Sequence, residues 1–322
     1  MPRILSGIKP TGRLHIGNYF GMMRPAIDWQ DKGDALYFVA DYHALTTVQD
    51  PARLRKDTWN VAADFLACGL DPAKATLFKQ SDVPEVTELT WLLSVITPMS
   101  LLERCHAYKD AITRGFAPSH GLFAYPVLMA ADILIYDSDV VPVGKDQKQH
   151  VEVTRDLAIK MNEIYGANLL KLPEPSILPD LATIPGLDGQ KMSKSYGNTI
   201  ELFMEEKALR KKIMGIITDS TPVEAPKNPD TSSIVALYRL FAGEGDVAQM
   251  EHDFRAGGIG YGDFKKRLFV AIWEHFAPAR ERRVEIEHNP EMVAQVLRNG
   301  ADKARSLACA TLLRVRKAVG LA

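Results

Sequence analysis

Cysteine is scarce in this chain, and the few that occur form no pattern. The 322 residues include only Cys68, Cys105 and Cys309, which are far apart and odd in number. Without a CxxC pair they support neither a disulfide framework nor a cysteine-based metal site. The eight histidines show no metal spacing such as HExxH, so the sequence predicts no metal held by protein ligands. A reducing, cytoplasmic location is expected.

The chain also lacks a charge excess and a long apolar run. The formal net charge is −1, so a nucleic-acid surface would have to be a local basic patch. The most apolar stretch, residues 121–136, is too short to span a bilayer and contains Asp132. The first residues lack the charged and apolar regions of a signal peptide. The sequence therefore predicts no membrane partner.

Strand and helix signals alternate in the first half of the chain. Strands are predicted at residues 3–8, 35–40, 75–78 and 140–143. Helices are predicted at residues 15–30, from Asp50-Pro51 to Gly69, over most of 84–136, and from about 146 to 165. This alternation predicts an α/β fold with a Rossmann-like, doubly wound parallel sheet that binds a nucleotide.

Strand signals vanish beyond residue 200, and amphipathic helices follow to the end. We therefore predict two domains, a Rossmann-like α/β domain at residues 1–198 and an all-α domain at residues 199–322. A GxxxxGK[ST] sequence is missing, which argues against a P-loop nucleotide site.

The turn from the first strand into the first helix is a candidate nucleotide site. It reads Thr11-Gly12-Arg13-Leu14-His15-Ile16-Gly17-Asn18. Gly17 would let a flat ligand approach the backbone, and His15 and Asn18 could hydrogen-bond phosphate or ribose. The alternative interpretation is an ordinary polar helix start with a capping role.

A second constellation is Lys191-Met192-Ser193-Lys194-Ser195, with Gly189 and Gly197 on either side. Two ammonium groups three residues apart, with hydroxyls between and beside them, could contact the oxygens of a polyphosphate. The alternative is a solvated surface loop.

Together these two constellations resemble the signatures of class I aminoacyl-tRNA synthetases. The second matches at every position. The first has Asn18 where the general form ends in a histidine, and Gly-Asn is common there in the branch that activates tryptophan. The resemblance to that branch runs almost end to end, with strong local matches at residues 6–12, 41–46, 129–134 and 141–150.

Asp132 supports this resemblance because it lies in an apolar predicted helix. Burying a carboxylate without a hydrogen-bond donor would cost on the order of several kcal/mol of folding free energy. No Arg or Lys lies between Arg114 and Lys145, so an ion-pair partner would come from elsewhere in the fold. An indole N–H is donor-only and would suit it. Tyr125 and Met129 lie on the same face of the predicted helix and could line an indole pocket. The alternative is that both side chains simply pack in the core.

The resemblance implies ATP-dependent attachment of L-tryptophan to tRNA(Trp) through a tryptophanyl-adenylate, releasing AMP and pyrophosphate. It also implies Mg²⁺, a homodimer, and a helical domain that binds the tRNA anticodon and whose last helix could pack back on the catalytic domain. A tyrosine-specific sibling and a non-catalytic RNA-binding paralogue are the alternatives.

The resemblance also assigns site residues. The implied catalytic residues are His15, Asn18, Lys191 and Lys194. The implied ATP-binding residues are Lys9, Pro10, Thr11, Gly17, Asn18, Gly144, Lys145, Asp146, Ile184, Lys191, Met192, Ser193, Lys194 and Ser195. The implied tryptophan-binding residues are Leu5, Gly7, His43, Tyr125, Met129, Asp132, Val141, Val143 and Gln147. At the position of Leu5 an aromatic residue is common in the family. At the position of Lys145 an acidic residue is common.

Basic patches lie mainly in the helical half and are candidates for contacts to the tRNA backbone. They are Lys207, Arg210, Lys211 and Lys212; Arg280, Arg282 and Arg283; and Lys303, Arg305, Arg314, Arg316 and Lys317. A solvated helix face is the alternative for each.

Overall fold

A computed structural model describes residues 1–113, 115, 117–144, 147–177 and 184–322. Its sheet has five parallel strands in the order β3-β2-β1-β4-β5. They are β1 (Arg3–Ile8), β2 (Asp34–Val39), β3 (Ala75–Lys79), β4 (Val140–Val143) and β5 (Glu174–Ile177). The predicted fold class and the four predicted strands are confirmed.

The fifth strand was not predicted, because Glu174-Pro175-Ser176-Ile177 lies in a proline-rich stretch. Proline has no N–H for a ladder and normally argues against a strand. The structure places β5 at the edge of the sheet, where only β4 pairs with it. One side of an edge strand needs no partner, so the proline is tolerated there.

Fifteen α-helices surround or follow the sheet in the part of the chain that the structure describes. They are α1 (Ile16–Asn18), α2 (Arg24–Trp29), α3 (Asp41–Ala44), α4 (Pro51–Ala67), α5 (Glu85–Ile96), α6 (Met99–Glu103), α7 (His106–Thr113), α8 (His120–Leu134), α9 (Lys148–Tyr165), α10 (Glu206–Met214), α11 (Ser233–Tyr238), α12 (Glu244–Ala256), α13 (Tyr261–His275), α14 (Ala277–His288) and α15 (Pro290–Val319). None that the described residues form is long and apolar enough to cross a membrane.

The prediction of a helix over residues 15–30 is confirmed, since residues 16–29 are helical without a break, but the helix is not regular. A π-turn at Tyr19–Met23 separates α1 from α2. Pro25 has no N–H to donate to the preceding turn, so one helical hydrogen bond is missing there. The wider π-turn ends two residues before this proline, and single turns of this kind occur inside α-helices.

The chain forms two compact units. The first comprises Met1–Gly12, Arg24–Pro179 and Ile286–Ala322, and contains the sheet. The second comprises Arg13–Met23 and Asp180–Glu285. These are structural units, and the functional division at residue 198 stays a prediction.

Helix α15 packs on the sheet of the first unit. Gly300 lies against the backbone of β3, where an added Cβ would fall 1.9 Å from the carbonyl oxygen of Leu77. Four cations of α15 form ion pairs within the same unit: Lys303 with Asp34 at 3.3 Å, Arg305 with Glu85 at 2.7 Å, Arg314 with Asp137 at 2.7 Å and Arg316 with Glu88 at 2.7 Å. These side chains attach the helix to its own unit.

We expect Gly300→Ala to destabilise the protein by about 1–3 kcal/mol, because the new methyl group overpacks a backbone contact that cannot yield like a side chain. Urea unfolding followed by circular dichroism measures the change. Gly245→Ala is the matched control, since Gly245 lies in α12 with no atom near its Cβ position. There the better helix propensity of alanine should make the change neutral or stabilising by up to about 1 kcal/mol. Equal effects of the two substitutions would contradict the packing argument.

Candidate active site

The carboxyl ends of the parallel strands carry most of the predicted site residues of the first unit. The strand order reverses between β1 and β4, and open α/β sheets bind ligands at such a point. His43 follows β2, and Gly144 and Gln147 follow β4. The fold therefore brings side chains from distant parts of the sequence to one edge of the sheet.

Asp132 of α8 is the most buried acid at this edge, with 1% of its surface exposed. Its Oδ2 accepts hydrogen bonds from His43 Nε2 at 2.8 Å and from Gln80 Nε2 at 2.9 Å, and its Oδ1 accepts from Gln80 Nε2 at 2.8 Å. Burial raises the pKa of Asp132, and the bonds from His43 and Gln80 oppose that rise. The sequence left the partner of Asp132 open, and the chain itself supplies two donors.

Gln80 was not predicted as a site residue. It follows β3 directly, and its Oε1 accepts hydrogen bonds from the backbone N–H of Tyr42 at 3.1 Å and of His43 at 3.4 Å. Next to it, Ser81 N–H donates to Asp41 Oδ1 at 2.9 Å. The segments that follow β2 and β3 are thus joined by side chains. A polar residue directly after a predicted buried strand was the available signal for Gln80.

Tyr125 and His150 form a second polar pair in this unit. The Tyr125 hydroxyl and His150 Nε2 are 2.6 Å apart, and the Tyr125 ring meets the His43 ring edge to face at 6.0 Å between centroids. Burial raises the pKa of Tyr125 to about 12, so its hydroxyl stays neutral. Tyr125 and Met129 are only half-buried, so neither is sealed in the core. His150 lies within the family match at residues 141–150, and the resemblance implied no role for it.

The predicted strand residues form apolar and backbone surfaces at the same edge. Leu5 in β1 and Val141 and Val143 in β4 are buried and belong to one apolar cluster. Gly7 is exposed, and a Cβ there would fall 2.4 Å from the ring of Phe38. A side chain at position 7 would therefore collide with that ring.

The turn after β1 is held by Lys9. Its Nζ donates to Thr46 Oγ1 at 2.8 Å, and burial lowers the pKa of Lys9. Pro10 is buried, and Thr11 N–H donates to the carbonyl of Lys9 at 3.0 Å. After β4, the N–H of Gln147 donates to the carbonyl of Gly144 at 3.0 Å. Lys145 and Asp146 lie outside the described residues.

The second unit holds both class I signature segments. Ile16 N–H donates to Ile200 O and Leu202 N–H donates to Leu14 O, each at 2.9 Å. These two bonds attach the first signature to the residues that follow the second. Gly17 lies close to His15 and to Met192, since a Cβ there would be 3.0 Å from the His15 ring and 3.6 Å from Met192 Cβ. His15, Gly17 and Met192 are therefore neighbours in this unit.

Asn198 organises the lysine loop, although the sequence did not single it out. Its Oδ1 accepts from the N–H of Ser193 at 2.8 Å, and its Nδ2 donates to Asp188 Oδ1 at 2.7 Å and to the carbonyl of Lys191 at 3.1 Å. Met192 N–H donates to the carbonyl of Ile184 at 2.9 Å. These bonds hold the backbone of the loop on both sides of Lys191.

The lysines of this loop face solvent. Lys191, Lys194 and Ser195 are exposed, and Ser193 is half-buried with its hydroxyl accepting from Ser195 N–H at 3.3 Å. Among the described residues, no carboxylate forms an ion pair with Lys191. An exposed ammonium on a fixed backbone can contact an incoming phosphate without first breaking a salt bridge.

His15 is buried beside these cations. Only 6% of its surface is exposed, and within the described chain its Nδ1 has no hydrogen-bond partner. Burial, and then the charges of Lys194 and Lys212, lower the pKa of His15 to about 4. Asn18 Oδ1 accepts from the backbone N–H of His15 at 3.2 Å, so Asn18 does cap this turn. His15 is therefore a neutral imidazole whose buried Nδ1 has no hydrogen-bond partner within the described chain.

We expect the His15 imidazole to titrate near pH 4, below the ordinary value of about 6.5. The unfolded chain then binds this proton more readily, so the stability that His15 contributes is complete above about pH 6.5 and is lost as the pH falls toward 4. Lys194→Met should raise the midpoint, and Lys211→Met on α10 is the control that should not. NMR of the imidazole Cε1–H, assigned with His15→Gln, measures the midpoint. Titration near pH 6.5 in the unsubstituted protein would contradict this electrostatic account.

Residues 1–277 match the family model described as tRNA synthetases class I (W and Y). A protein of Fusobacterium nucleatum named tryptophan–tRNA ligase is 55% identical over 321 residues, covering 100% of this chain and 98% of the relative. One of Rhodopirellula baltica with the same name is 54% identical over 319 residues, covering 99% of each chain.

Solved structures are similar over the same length. The tryptophanyl-tRNA synthetase of Campylobacter jejuni, complexed with ADP and tryptophan, superimposes with a TM-score of 0.94 at 46% identity, covering 99% of this chain and 100% of the other. The enzyme of Mycoplasma pneumoniae superimposes with a TM-score of 0.83 at 32% identity, covering 100% and 98%.

Proposed function

Since the chain belongs to the class I tRNA synthetases of the tryptophan and tyrosine group, we propose that it activates L-tryptophan with ATP and transfers it to tRNA(Trp). The observation that carries the activity is the identity of 55% and 54%, across the whole chain, to two tryptophan–tRNA ligases. Neither the tyrosine-specific sibling nor a non-catalytic paralogue is favoured by these relatives.

Tryptophan recognition is assigned to the first unit. A carboxylate has about four acceptor positions, and the donors from His43 and Gln80 fill three of those on Asp132. The remaining position, on Oδ1, would accept the indole N–H. Tyr125, Met129, Val141 and Val143 would line the ring, and Leu5, Gly7, His43 and Gln147 would lie near the rest of the amino acid.

ATP binding and catalysis are assigned mainly to the second unit. Lys191 and Lys194 would stabilise the charge that develops on pyrophosphate, and His15, Gly17 and Asn18 would hold the nucleotide. Because His15 is neutral, it would act through a hydrogen bond. Further ATP contacts are proposed for Lys9, Pro10, Thr11, Gly144, Lys145, Asp146, Ile184, Met192, Ser193 and Ser195.

The chemistry needs no general base in its first step. The tryptophan carboxylate is already ionised; its oxygen forms a bond to the α-phosphorus, and the bond from that phosphorus to the bridging oxygen breaks. The electron pair leaves with pyrophosphate, so cations that contact the pyrophosphate stabilise the negative charge that develops there. A ribose hydroxyl of the tRNA then attacks the acyl carbon of the adenylate, and AMP leaves.

Mg²⁺ is proposed as a companion of ATP. Magnesium is commonly bound through substrate phosphates with few protein ligands. The residues described here contain no group of three or more side chains that could cage a metal, which fits an ion carried by the phosphates. When bound, it would neutralise charge on the phosphate oxygens.

Contacts to the tRNA backbone are proposed for helix α10, because Lys207, Arg210 and Lys211 are exposed there. A cytoplasmic location is proposed because the three cysteines are free and tRNA charging is a cytoplasmic reaction.

A homodimer is proposed through an apolar surface at α5 and α6. Trp91, Val95 and Met99 are 69%, 64% and 64% exposed, and Trp91 and Val95 are one helical turn apart. Large apolar side chains exposed together mark an interaction surface. A second copy of the chain is the partner that the family resemblance implies.

We expect the protein to catalyse ATP–pyrophosphate exchange that depends on L-tryptophan. Incorporation of labelled pyrophosphate into ATP measures it, with reactions lacking amino acid as the control. L-Tyrosine should support less than about a thousandth of the tryptophan rate, because a site built around one acceptor rejects a side chain that does not match it. Exchange with tyrosine alone would assign the chain to the sibling activity, and exchange with neither amino acid would contradict an enzymatic function.

We expect Trp91→Glu to convert the protein to a monomer of 35.7 kDa, because a charge at the centre of an apolar interface loses its hydration. Sedimentation at micromolar concentration measures the mass. Val270→Glu, on an exposed apolar residue of α13, is the control and should keep twice that mass. A monomeric unsubstituted protein would rule out the dimer, and a dimeric Trp91→Glu variant would place the interface elsewhere.

A further inference from the structure

We propose that Gln80 is a positioning residue that makes the tryptophan pocket selective for the indole N–H, by holding the Asp132 carboxylate with a single acceptor position open. This inference rests on the proposed function and adds a residue to which neither the sequence motifs nor the comparisons assign a role. It is carried by the hydrogen bonds around Gln80.

The first observation is that one amide nitrogen contacts both oxygens of the carboxylate. Gln80 Nε2 lies 2.8 Å from Asp132 Oδ1 and 2.9 Å from Oδ2. His43 Nε2 lies 2.8 Å from Oδ2. Oδ2 is therefore fully used, and Oδ1 keeps one position. Two contacts from one rigid amide fix the rotation of the carboxyl plane, which a single contact would leave free.

The second observation is that the amide cannot turn over. Its Oε1 accepts from the backbone N–H groups of Tyr42 and His43. A flipped amide would place its N–H groups against those donors and its oxygen against the Asp132 carboxylate. Gln80 is 1% exposed and follows β3 without an intervening loop, so its backbone is also fixed. The sheet itself thus sets the direction of the Oδ1 acceptor.

The third observation is the burial of Asp132. A carboxyl group in this position tends toward the protonated form, and hydrogen bonds from neighbours favour the ionised form. The ionised form would accept an indole N–H at the open position on Oδ1. The protonated form would present an O–H, for which an indole has no acceptor. Gln80 favours both the charge and the orientation that an N–H donor requires.

The test uses a ligand that differs from tryptophan only in this donor. In 3-(benzothiophen-3-yl)-L-alanine a sulfur replaces the N–H at nearly the same size. We expect the unsubstituted protein to prefer tryptophan by about 10- to 100-fold in kcat/KM for pyrophosphate exchange, the usual contribution of a hydrogen bond to a charged group. Gln80→Met should reduce that preference at least about tenfold, toward the value of Asp132→Ala.

A matched control separates positioning from general damage. Gln30→Met makes the same change at a half-buried amide, which binds the backbone of Gly69 and Asp71 and does not touch Asp132. It should keep the preference for tryptophan. The KM for ATP should change less than about threefold in Gln80→Met, since the variant alters only the acceptor for the amino acid. Gln80→Glu, folded by circular dichroism, provides a second variant and should show the same reduced preference.

The possible failures are distinguishable. If the unsubstituted protein shows no exchange with tryptophan, the proposed function is overturned. If it prefers tryptophan and both Gln80 variants slow the two ligands by the same factor, Gln80 is merely structural and this inference is overturned while the function stands. Loss of the preference in Gln30→Met as well would also overturn the inference.

Discussion

A carboxylate buried in an apolar helix must be hydrogen-bonded, and much of the first unit follows from this constraint on Asp132. Its donors come from the ends of two neighbouring strands, His43 after β2 and Gln80 after β3. Gln80 in turn accepts from the backbone beside His43, so each donor is held by the other. Losing one member would leave a buried polar group unpaired, which costs more than an average hydrogen bond contributes. Such a network fixes the position of the Asp132 carboxylate, and an acceptor in a fixed position can select for a ligand with an N–H donor at the matching place.

The second unit differs from the first, because the ligand that we propose for it is a polyanion. Exposed lysines are mobile, and holding a long side chain costs entropy. In this structure hydrogen bonds hold the backbone of the lysine loop instead. Asn198 bonds to the segments on both sides of Lys191, through Asp188 and Ser193, and leaves the ammonium groups in solvent. A neutral His15 beside them adds a hydrogen-bonding group without adding repulsion. The backbone of the loop is therefore held by hydrogen bonds, while the side chains of Lys191 and Lys194 are exposed.

Local patterns predicted most of the fold, whereas the assignment of residues to ATP and to tryptophan came from the family resemblance and stays a prediction. Four of five strands have their own apolar run. Strand β5 was missed because its proline argues against a strand, and its place at the edge of the sheet is known only from the pairing. Asp132 could be found because an acid in an apolar helix is unusual. Gln80 and Asn198 could not be found by the same means, since an amide near a turn is ordinary until its partners are known. Their roles depend on contacts over 52 and up to 10 residues of sequence, which only the folded chain supplies.

The basic residues show why composition alone cannot locate a nucleic-acid surface. Helix α15 carries a dense set of cations, yet Arg305, Arg314 and Arg316 each lie 2.7 Å from a carboxylate of their own unit. A phosphate would have to compete with those partners, and counterion release, the source of much nucleic-acid affinity, would be reduced. On α10, Lys207 and Lys211 are exposed, and the described residues place no carboxylate in an ion pair with either. The sequence counts charges equally on both helices, whereas the structure separates cations that stabilise the fold from cations that remain available to a polyanion.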